Sequence, residues 1–401
     1  MIVDTLTVDN MALDTLAMHM SDGLITPRAS VLFYVVAVIG VALAAWRART
    51  ELTEKSAATA ALVTALVFAM QMIDVPVLPG VSGHVLGGTV AALLLGPFAA
   101  ALCLTFVLTV QAFVFADGGL TALGANTTVM ALAGVAGGYG TAIALRAAFA
   151  RHNTARHNTL SPTAHTFTVA FIAGCASVFA AVTGSVVVYA ISGSAHMPLS
   201  TLAYLYGAHA PVALLEGLVT GVVVVAAAGA AHTRLVTALG LAAFGVAGVL
   251  STFALSTFTA GTPDALEAAT LRGCDTTQTP PIGDCMARGV REHRLAGSAL
   301  ADYTVGGQAG STGAAGTIGV LATIAVAAPD SVRSRVGVSL SCVSSCPDEF
   351  RSEVAAAADR LGRVFELRTG ERPVVDQLHT VGHEDRIYGA CPIEQCHKSV
   401  E

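Results

Sequence analysis

Charged residues are scarce in this chain, and their scarcity decides its class. Of the 401 residues only 12% are charged and 54% are hydrophobic, whereas a soluble domain carries about 25% charged residues. From Ser56 to Leu145 there is no Lys or Arg, and the only acids are Asp74 and Asp117. About 20 apolar residues cross a bilayer. The chain is therefore predicted to be an integral membrane protein surrounded by lipid.

Two further absences limit what the chain can do. No Gly-x-x-x-x-Gly-Lys-Ser/Thr loop occurs, so the chain cannot itself supply the ATPase of a pump. Aromatic residues make up only 6%, which disfavours the aromatic-lined pocket of a vitamin-binding component. An intramembrane enzyme would need a convergent set of acids or nucleophiles, for which His209 and Glu216 are a thin candidate pair. We expect a non-enzymatic protein with no nucleic-acid partner.

The apolar segments predict an all-α membrane bundle of about seven core transmembrane helices plus two additional helices. They lie near residues 30–46, 57–73, 84–95, 97–115, 124–149, 166–192, 207–230, 236–258 and 312–328. Gly96-Pro97 separates the third segment from the fourth. One of these two is therefore expected to be re-entrant or broken and to line a cavity.

Basic residues in short loops predict the orientation in the plasma membrane, because such loops stay in the cytoplasm. The N-terminus, the loop around residue 84, the loop at 193–206 and the segment 259–311 then face outward, and the tail is cytoplasmic. The basic residues of the inner loops are Arg47, Arg49, Lys55, Arg146, Arg151, Arg156 and Arg234.

A Met-His pair before the first apolar segment is a candidate metal site. If the mature chain began at Met18, its amine, the amide nitrogen and the imidazole of His19 would close a five-membered and a six-membered chelate ring. A deprotonated amide favours a planar nitrogen field, which suits Ni(II) or Cu(II) better than Zn(II). His84, set among glycines that allow a close backbone approach, could complete the square. The alternative is a purely structural role for both histidines.

Residues 1–17 contain Asp4, Asp9 and Asp14, so they lack the basic start and apolar core of a secretory signal. Two explanations stay open. Translation starts at Met18 rather than Met1, which we favour, or the extension is genuine and must be cleaved. If the extension were retained, His19 would have no amine partner and the chelate would need another donor.

Four ordered motifs cover much of residues 18–235. They are Met18-His19-Met20-Ser21-Asp22-Gly23, Ser82-Gly83-His84 with Gly87-Gly88, the stretch from Phe115-Ala116-Asp117-Gly118-Gly119 to Asn126, and His209-Ala210-Pro211 with Glu216-Gly217-Leu218-Val219-Thr220. Together they resemble the NikM/CbiM family, the substrate-binding membrane components of energy-coupling factor transporters for nickel and cobalt.

The resemblance implies a planar metal site made of Met18, His19 and His84, and it implies Ni²⁺ or Co²⁺ as the transported substrate. The form of the motif around His84 is closer to the nickel branch, so nickel is the favoured substrate. The alternative is a cobalt importer component that supplies cobalamin synthesis. The implied partners are a pair of cytoplasmic ATPase subunits and a separate transmembrane coupling subunit.

Other motif residues are expected to support the site. Asn126 could hydrogen-bond a ligand histidine or the N-terminal segment, or it could cap a helix beginning at Thr127. Asp22 could support the site or cap its own turn. His209 and Glu216 lie seven residues apart on nearly one helical face, and we interpret them as stabilising the bundle or coupling it rather than binding metal.

Residues 236–328 are expected to form two helices around an outer loop. Pro263-Asp264-Ala265-Leu266-Glu267 resembles the accessory PDGLE-type or NikN-like segment, with Ala265 replacing the glycine of that motif. Cys274 and Cys285 lie in the same loop, on the oxidising side, where a disulfide is expected and free thiols are the alternative.

The tail, residues 329–401, differs in composition and is expected to be a small α+β cytoplasmic domain. It contains cysteines and a histidine that could bind Zn²⁺ or sense metal, although their spacing differs from the usual zinc-ribbon pattern. These residues are Cys342, Cys346, Cys391, Cys396 and His397.

Overall fold

Helices dominate the computed structural model, which describes residues 19–51, 54–72, 74–153, 161–193, 197–230, 262–278, 281–308 and 311–327. The helices are α1 Pro27–Ala48, α2 Glu54–Gln71, α3 Gly88–Leu95, α4 Pro97–Val114, α5 Leu123–Asn126, α6 Val135–Asn153, α7 Pro162–Ser192, α8 Leu199–Ala230, α9 Ala265–Thr270 and α10 Thr312–Ala327. Residues through Ile324 belong to one compact unit. The other unit, Ala325–Glu401, falls almost wholly outside the described residues.

Five helical stretches of the described chain are long and apolar enough to cross a membrane. They are Pro27–Ala48, Pro97–Val114, Leu120–Arg151, Pro162–Ser192 and Leu199–Gly229. Large apolar side chains such as Ile39 on α1 and Leu214 on α8 are exposed, as expected where lipid replaces water. The prediction of a helical membrane bundle is confirmed. The predicted segment 236–258 lies outside the described residues, so the count of seven plus two helices stays a prediction.

The third predicted span is a short, broken helix. It begins at Gly88 rather than at His84, because Gly87 has a left-handed backbone (φ +72°) that interrupts the helix. Eight residues make about 12 Å of helix, less than half a bilayer. Gly96 separates it from α4, whose first turn is capped by Glu51 through a 2.7 Å hydrogen bond from the amide of Ala99. His84 therefore lies in an extended loop rather than in a helix.

A wide helical turn lies beside this loop. The fifth apolar segment begins as a 3₁₀ turn at Leu120–Ala122, passes through α5, and continues as π-helix from Thr127–Gly134 into α6. Such π-helical turns are rare and occur often at functional sites. The segment predicted to start at residue 124 thus has an irregular first half.

Two small antiparallel sheets depart from the all-α prediction. Strand β1, Val75–Leu78, pairs with β2, Val81–Gly83, and β3, Cys274–Asp275, pairs with β4, Ile282–Gly283. Both lie in connections between helices, where the sequence pattern predicted only loops. Cys274 and Cys285 form a disulfide beside the second sheet.

Residues 262–308, here called the accessory segment, pack on the loops at one end of the bundle. Ser82 of β2 donates its amide to Pro263 O at 3.0 Å and its hydroxyl to Thr262 O at 2.8 Å. Farther along, the amide of Arg291 donates to Asp22 O at 2.8 Å. The accessory segment is therefore fixed both to the loop that carries His84 and to the loop that follows His19.

Candidate metal centre

A small cavity at this end of the bundle brings together three histidines that are far apart in sequence. His19, His84 and His209 line it. Asn126, Ser185 and Asp264 are further polar residues of the lining, and the other lining side chains are apolar. In the described part of the chain, no group of three or more His, Cys, Asp or Glu side chains is placed to hold a metal by itself.

His19 is held by a buried carboxylate. Its Nδ1 lies 3.0 Å from Asp117 Oδ1, and its Nε2 is buried and has no hydrogen-bond partner among the described residues. Tyr303 of the accessory segment donates its hydroxyl to Asp117 Oδ2 at 2.7 Å and stacks on Phe115 with ring centroids 4.7 Å apart. A carboxylate that orients one nitrogen of an imidazole and leaves the other available is the usual arrangement behind a metal-binding histidine.

The two motif histidines lie close enough to share an ion. Their ring centroids are 5.4 Å apart and the rings are tilted by 53°. A metal–nitrogen bond of about 2.0–2.1 Å puts each ring centre about 3.2 Å from the ion. Two rings that bind one ion therefore have centres about 4.5 Å apart when the nitrogen–metal–nitrogen angle is 90°, and about 6.4 Å apart when it is 180°. The observed separation falls between these limits.

The orientation of His19 differs from that required by the predicted chelate. A six-membered ring through the amide nitrogen of His19 needs Nδ1 on the metal, whereas Nδ1 faces Asp117 in the structure. A half-turn of the imidazole about the Cβ–Cγ bond would exchange the two edges of the ring and offer Nε2–H to the Asp117 side. In the orientation observed, the nitrogen without a partner is Nε2.

Asn126 fixes the backbone next to His19. Its Oδ1 accepts from the amide of Met20 at 3.1 Å, and its Nδ2 donates to Met20 O, also at 3.1 Å. The amide of Gly119 donates to the same carbonyl at 2.9 Å. Asn126 makes no helix-capping hydrogen bond, because it lies inside a continuous helical run rather than before one. Of the alternatives for this residue, the structure shows the contact with the N-terminal segment.

Asp22 contacts a neighbouring loop rather than capping its own turn. Its Oδ1 accepts from the amide of Thr121 at 2.7 Å and from the hydroxyl of the same residue at 2.6 Å. Gly119 allows this approach, because a Cβ there would lie 2.2 Å from the amide nitrogen of Asp22. The Gly-Gly-Leu-Thr motif thus serves as the surface on which the N-terminal loop packs.

Glu216 and His209 have separate partners. Glu216, fully buried on α8, accepts from the amide of Leu86 at 2.8 Å and from that of Gly87 at 3.2 Å, and so holds the loop that carries His84. His209 Nδ1 lies 2.7 Å from Leu205 O one turn earlier, and its ring lines the cavity. Glu216 supports the loop. His209 lines the cavity, a position that its predicted role in stabilising or coupling the bundle did not imply.

Burial and charge shift the acid–base behaviour of the site in definite directions. Burial lowers the pKa of His19, but the charge and hydrogen bond of Asp117 outweigh it and leave the pKa above its usual value. Burial raises the pKa of Asp117, and His19 and the hydrogen bond from Tyr303 together bring it below its usual value. Burial also raises the pKa of Asp264 to about 7. The three groups therefore influence one another's protonation.

Three residues of the site were not predicted from the sequence. Asp117 was noted only as a rare acid within a motif, Asp264 only as part of the PDGLE-like motif, and Tyr303 only as part of the outer loop that follows this motif. Asp117 had one available signal, since it is one of two acids between residues 56 and 145. Tyr303 had none, because its contact with Asp117 joins residues 186 positions apart.

Some predicted site residues fall outside the described part of the chain. Met18 is one of them, so its amine has no described position. The cysteines and histidine of the tail are the others, and the family matches below end before them. They are Cys342, Cys346, Cys391, Cys396 and His397.

The chain is similar to several known proteins. A protein of Haloquadratum walsbyi named for metal transport is 35% identical over 208 residues, covering 51% of this chain and 86% of that protein. A protein of Archaeoglobus fulgidus named as a fused nickel transport protein, NikMN, is 42% identical over 122 residues, covering 30% of this chain and only 40% of that protein. A solved structure of a transition metal transporter is 23% identical, with a TM-score of 0.44, and covers 55% of this chain and 97% of that one.

Family models account for most of the chain. The CbiM model, described as a cobalt uptake substrate-specific transmembrane region, matches residues 19–234. The model of the PDGLE domain matches residues 233–329, which include the accessory segment. The chain is thus a multi-pass membrane protein that belongs to the CbiM family and carries a PDGLE domain behind the family region.

Proposed function

We propose that this chain is the substrate-specific membrane component of an ATP-driven energy-coupling factor importer for nickel ions. The observation that carries the proposal is the pair His19 and His84, which are buried, face one cavity and lie 5.4 Å apart between ring centroids. The carboxylate of Asp117 behind His19 supports a metal-binding role over a purely structural one.

The proposed ligands are the amine of Met18, the amide nitrogen and imidazole of His19, and the imidazole of His84. The amide of Met20 already donates a hydrogen bond to Asn126, so the amide nitrogen of His19 is the neighbouring backbone nitrogen that we propose as a metal ligand. Closing the six-membered ring requires the half-turn of the His19 imidazole, after which Nε2–H would donate toward Asp117. The proposal includes a mature chain that begins at Met18.

Nickel is proposed over cobalt because a deprotonated amide favours planar coordination, which suits Ni(II). The family description names cobalt uptake and one relative is named for nickel transport, so both ions are reasonable substrates for a member. A cobalt importer component is therefore the second candidate. A vitamin-binding component has less support, since the cavity is small and lined by histidines rather than aromatic rings.

The proposed transport direction is inward, with the metal cavity outside and the tail in the cytoplasm. Arg47 and Arg49 lie at the end of α1 opposite His19, and Arg151 lies at the far end of α6. Basic residues favour the cytoplasmic side. ATP hydrolysis is assigned to a pair of partner ATPases acting through a transmembrane coupling subunit, because no phosphate loop occurs in this chain.

Nickel binding by the purified chain tests the site. We expect one Ni²⁺ per chain, and loss of at least about tenfold in affinity for His84→Ala, since a nitrogen ligand is removed. His165→Ala is the matched control, because that imidazole contacts Phe149 on the far half of the bundle. Normal nickel loading of His84→Ala would show that the proposed site is wrong.

Intact mass measurement of the nickel-loaded protein tests the amine ligand. A chain beginning at Met18 with one nickel bound supports the amine, amide and imidazole set. A chain beginning at Met1 that still binds the metal excludes the amine of Met18 as a ligand. Absence of any bound metal would favour the vitamin-binding or enzymatic alternatives.

A further inference from the structure

The accessory segment places one carboxylate on the wall of the metal cavity. Asp264 lines the cavity together with His19 and His84, although it is separated from them by more than 170 residues of chain, and only 6% of its surface is exposed. No Lys or Arg is among the described residues that line this cavity. In the described lining, the only basic side chains beside this acid are therefore imidazoles.

The position of Asp264 is fixed from two sides. It caps α9, accepting from the amide of Glu267 at 2.6 Å on Oδ1, while Glu267 Oε2 accepts from the amide of Asp264 at 3.2 Å. The two residues before it are hydrogen-bonded to Ser82, which precedes His84 by two positions. The carboxylate of Asp264 and the imidazole of His84 therefore belong to two backbone segments that are hydrogen-bonded to each other at Ser82.

Electrostatics give this arrangement a consequence for a bound cation. A divalent ion entering a buried, apolar-walled cavity loses much of its hydration, and neutral imidazoles do not balance its charge. The ionised carboxylate of Asp264, which predominates above its pKa of about 7, attracts the ion more strongly there than it would in water, because the effective dielectric constant is low.

We propose that Asp264 of the PDGLE domain is a charge-compensating residue of the metal site, stabilising the bound divalent cation without coordinating it. This inference rests on the proposed function of His19 and His84. It makes the accessory segment part of the binding site rather than a cover over it. Because charge compensation does not depend on ligand geometry, Asp264 raises the affinity for Ni²⁺ and Co²⁺ alike.

Replacement of Asp264 can remove the charge without removing the helix cap. Asn and Ser cap helices about as well as Asp, so Asp264→Asn and Asp264→Ser should leave the thermal unfolding of the metal-free protein close to that of the wild type. Glu267→Gln is the matched control. It removes the other carboxylate of the same capping box, which is half-buried and is not among the residues that line the cavity.

The test is titration of the full-length chain in detergent with Ni²⁺ and, separately, with Co²⁺. We expect Asp264→Asn and Asp264→Ser to weaken both ions by about tenfold or more and by the same factor, with the visible absorption of bound nickel unchanged. Glu267→Gln should bind as the wild type does.

Three outcomes would overturn the inference. Wild-type affinity in both Asp264 variants would show that the charge is irrelevant, and an equal loss in Glu267→Gln would assign the effect to the capping box. A changed nickel spectrum in Asp264→Asn would identify Asp264 as a ligand. Failure of the proposed site itself is recognised separately, by wild-type affinity in His84→Ala.

Discussion

At the scale of single residues, the site depends on one carboxylate with two partners. Asp117 bonds His19 through Oδ1 and Tyr303 through Oδ2, and all three side chains are buried. An unpaired buried charge would be costly, so each partner stabilises the ionised form. A substitution of Tyr303 should therefore change the orientation and basicity of His19 through Asp117.

We predict that Tyr303→Phe lowers nickel affinity by about tenfold, because groups that orient a metal-binding histidine typically contribute 10–100-fold. The aromatic stack on Phe115 is retained, so the bundle should stay folded. Nickel titration measures the effect. Tyr206→Phe, which removes a hydroxyl contact with exposed Thr183, is the control. Equal affinities for the two variants would contradict the coupling.

If His19 binds metal as proposed, Asp117 should also set the pH dependence of that binding. Only unprotonated imidazole binds a metal, and the pKa of His19 is raised, so nickel binding should fall as the pH drops through that raised pKa. In Asp117→Asn the pKa of His19 should decrease, which moves the acid limb of the binding curve to lower pH. Affinity measured between about pH 5 and pH 8 checks this shift. A shift to higher pH would contradict the assignment.

At the scale of elements, α8 supports the loop that carries His84. Glu216 accepts the amides of Leu86 and Gly87, where the left-handed backbone of Gly87 ends the extended segment and α3 begins. The loop is thus positioned by a helix that starts more than 100 residues later. Its geometry cannot be obtained from local sequence.

We predict that Glu216→Ala lowers the free energy of unfolding by about 1–3 kcal/mol, because two buried amides lose their acceptor. Nickel affinity should fall with it, since the loop of His84 is no longer held. Glu216→Gln, which keeps an acceptor oxygen, should be affected less in both respects. Denaturation in detergent and nickel titration measure the two effects. A larger defect in Glu216→Gln than in Glu216→Ala would exclude this role.

The membrane helices and several site residues could be predicted from the sequence alone, whereas the contacts between distant loops could not. Hydrophobic runs predicted the helices that cross the membrane, since composition and length suffice for them, and the motifs singled out His19, His84 and Asn126. The partners of Asp22 and Asp117 could not be predicted, because they depend on loops brought together by folding. Asp22, for example, bonds Thr121, 99 positions away. The small sheets were missed because strands of two to four residues leave no periodic pattern.

At the scale of the whole molecule, the cavity lined by His19 and His84 lies at one end of the bundle. The helix termini that carry the arginines lie at the other end. Thr26 at the start of α1 bonds Ser192 at the end of α7, near the cavity, whereas Arg47 contacts Phe98 at the start of α4. The disulfide between Cys274 and Cys285 belongs to the cavity end.

We predict that this disulfide reports the orientation, because disulfides persist outside the cytoplasm and are rare within it. A membrane-impermeant reductant added to intact cells should make Cys274 and Cys285 reactive toward an impermeant maleimide. Cys103, buried in α4, is the internal control and should not react. Labelling only after permeabilisation would show that the cavity end faces the cytoplasm.

The carboxylate of Asp117, shared by His19 and Tyr303, has a thermodynamic consequence. Two events that use one group are linked, and the coupling free energy is the same in both directions. If docking of the accessory segment raises nickel affinity tenfold, bound nickel must raise the docking equilibrium tenfold. Amide hydrogen exchange in residues 262–308 should then slow when nickel is added, so that a segment on the surface registers whether the buried site is filled.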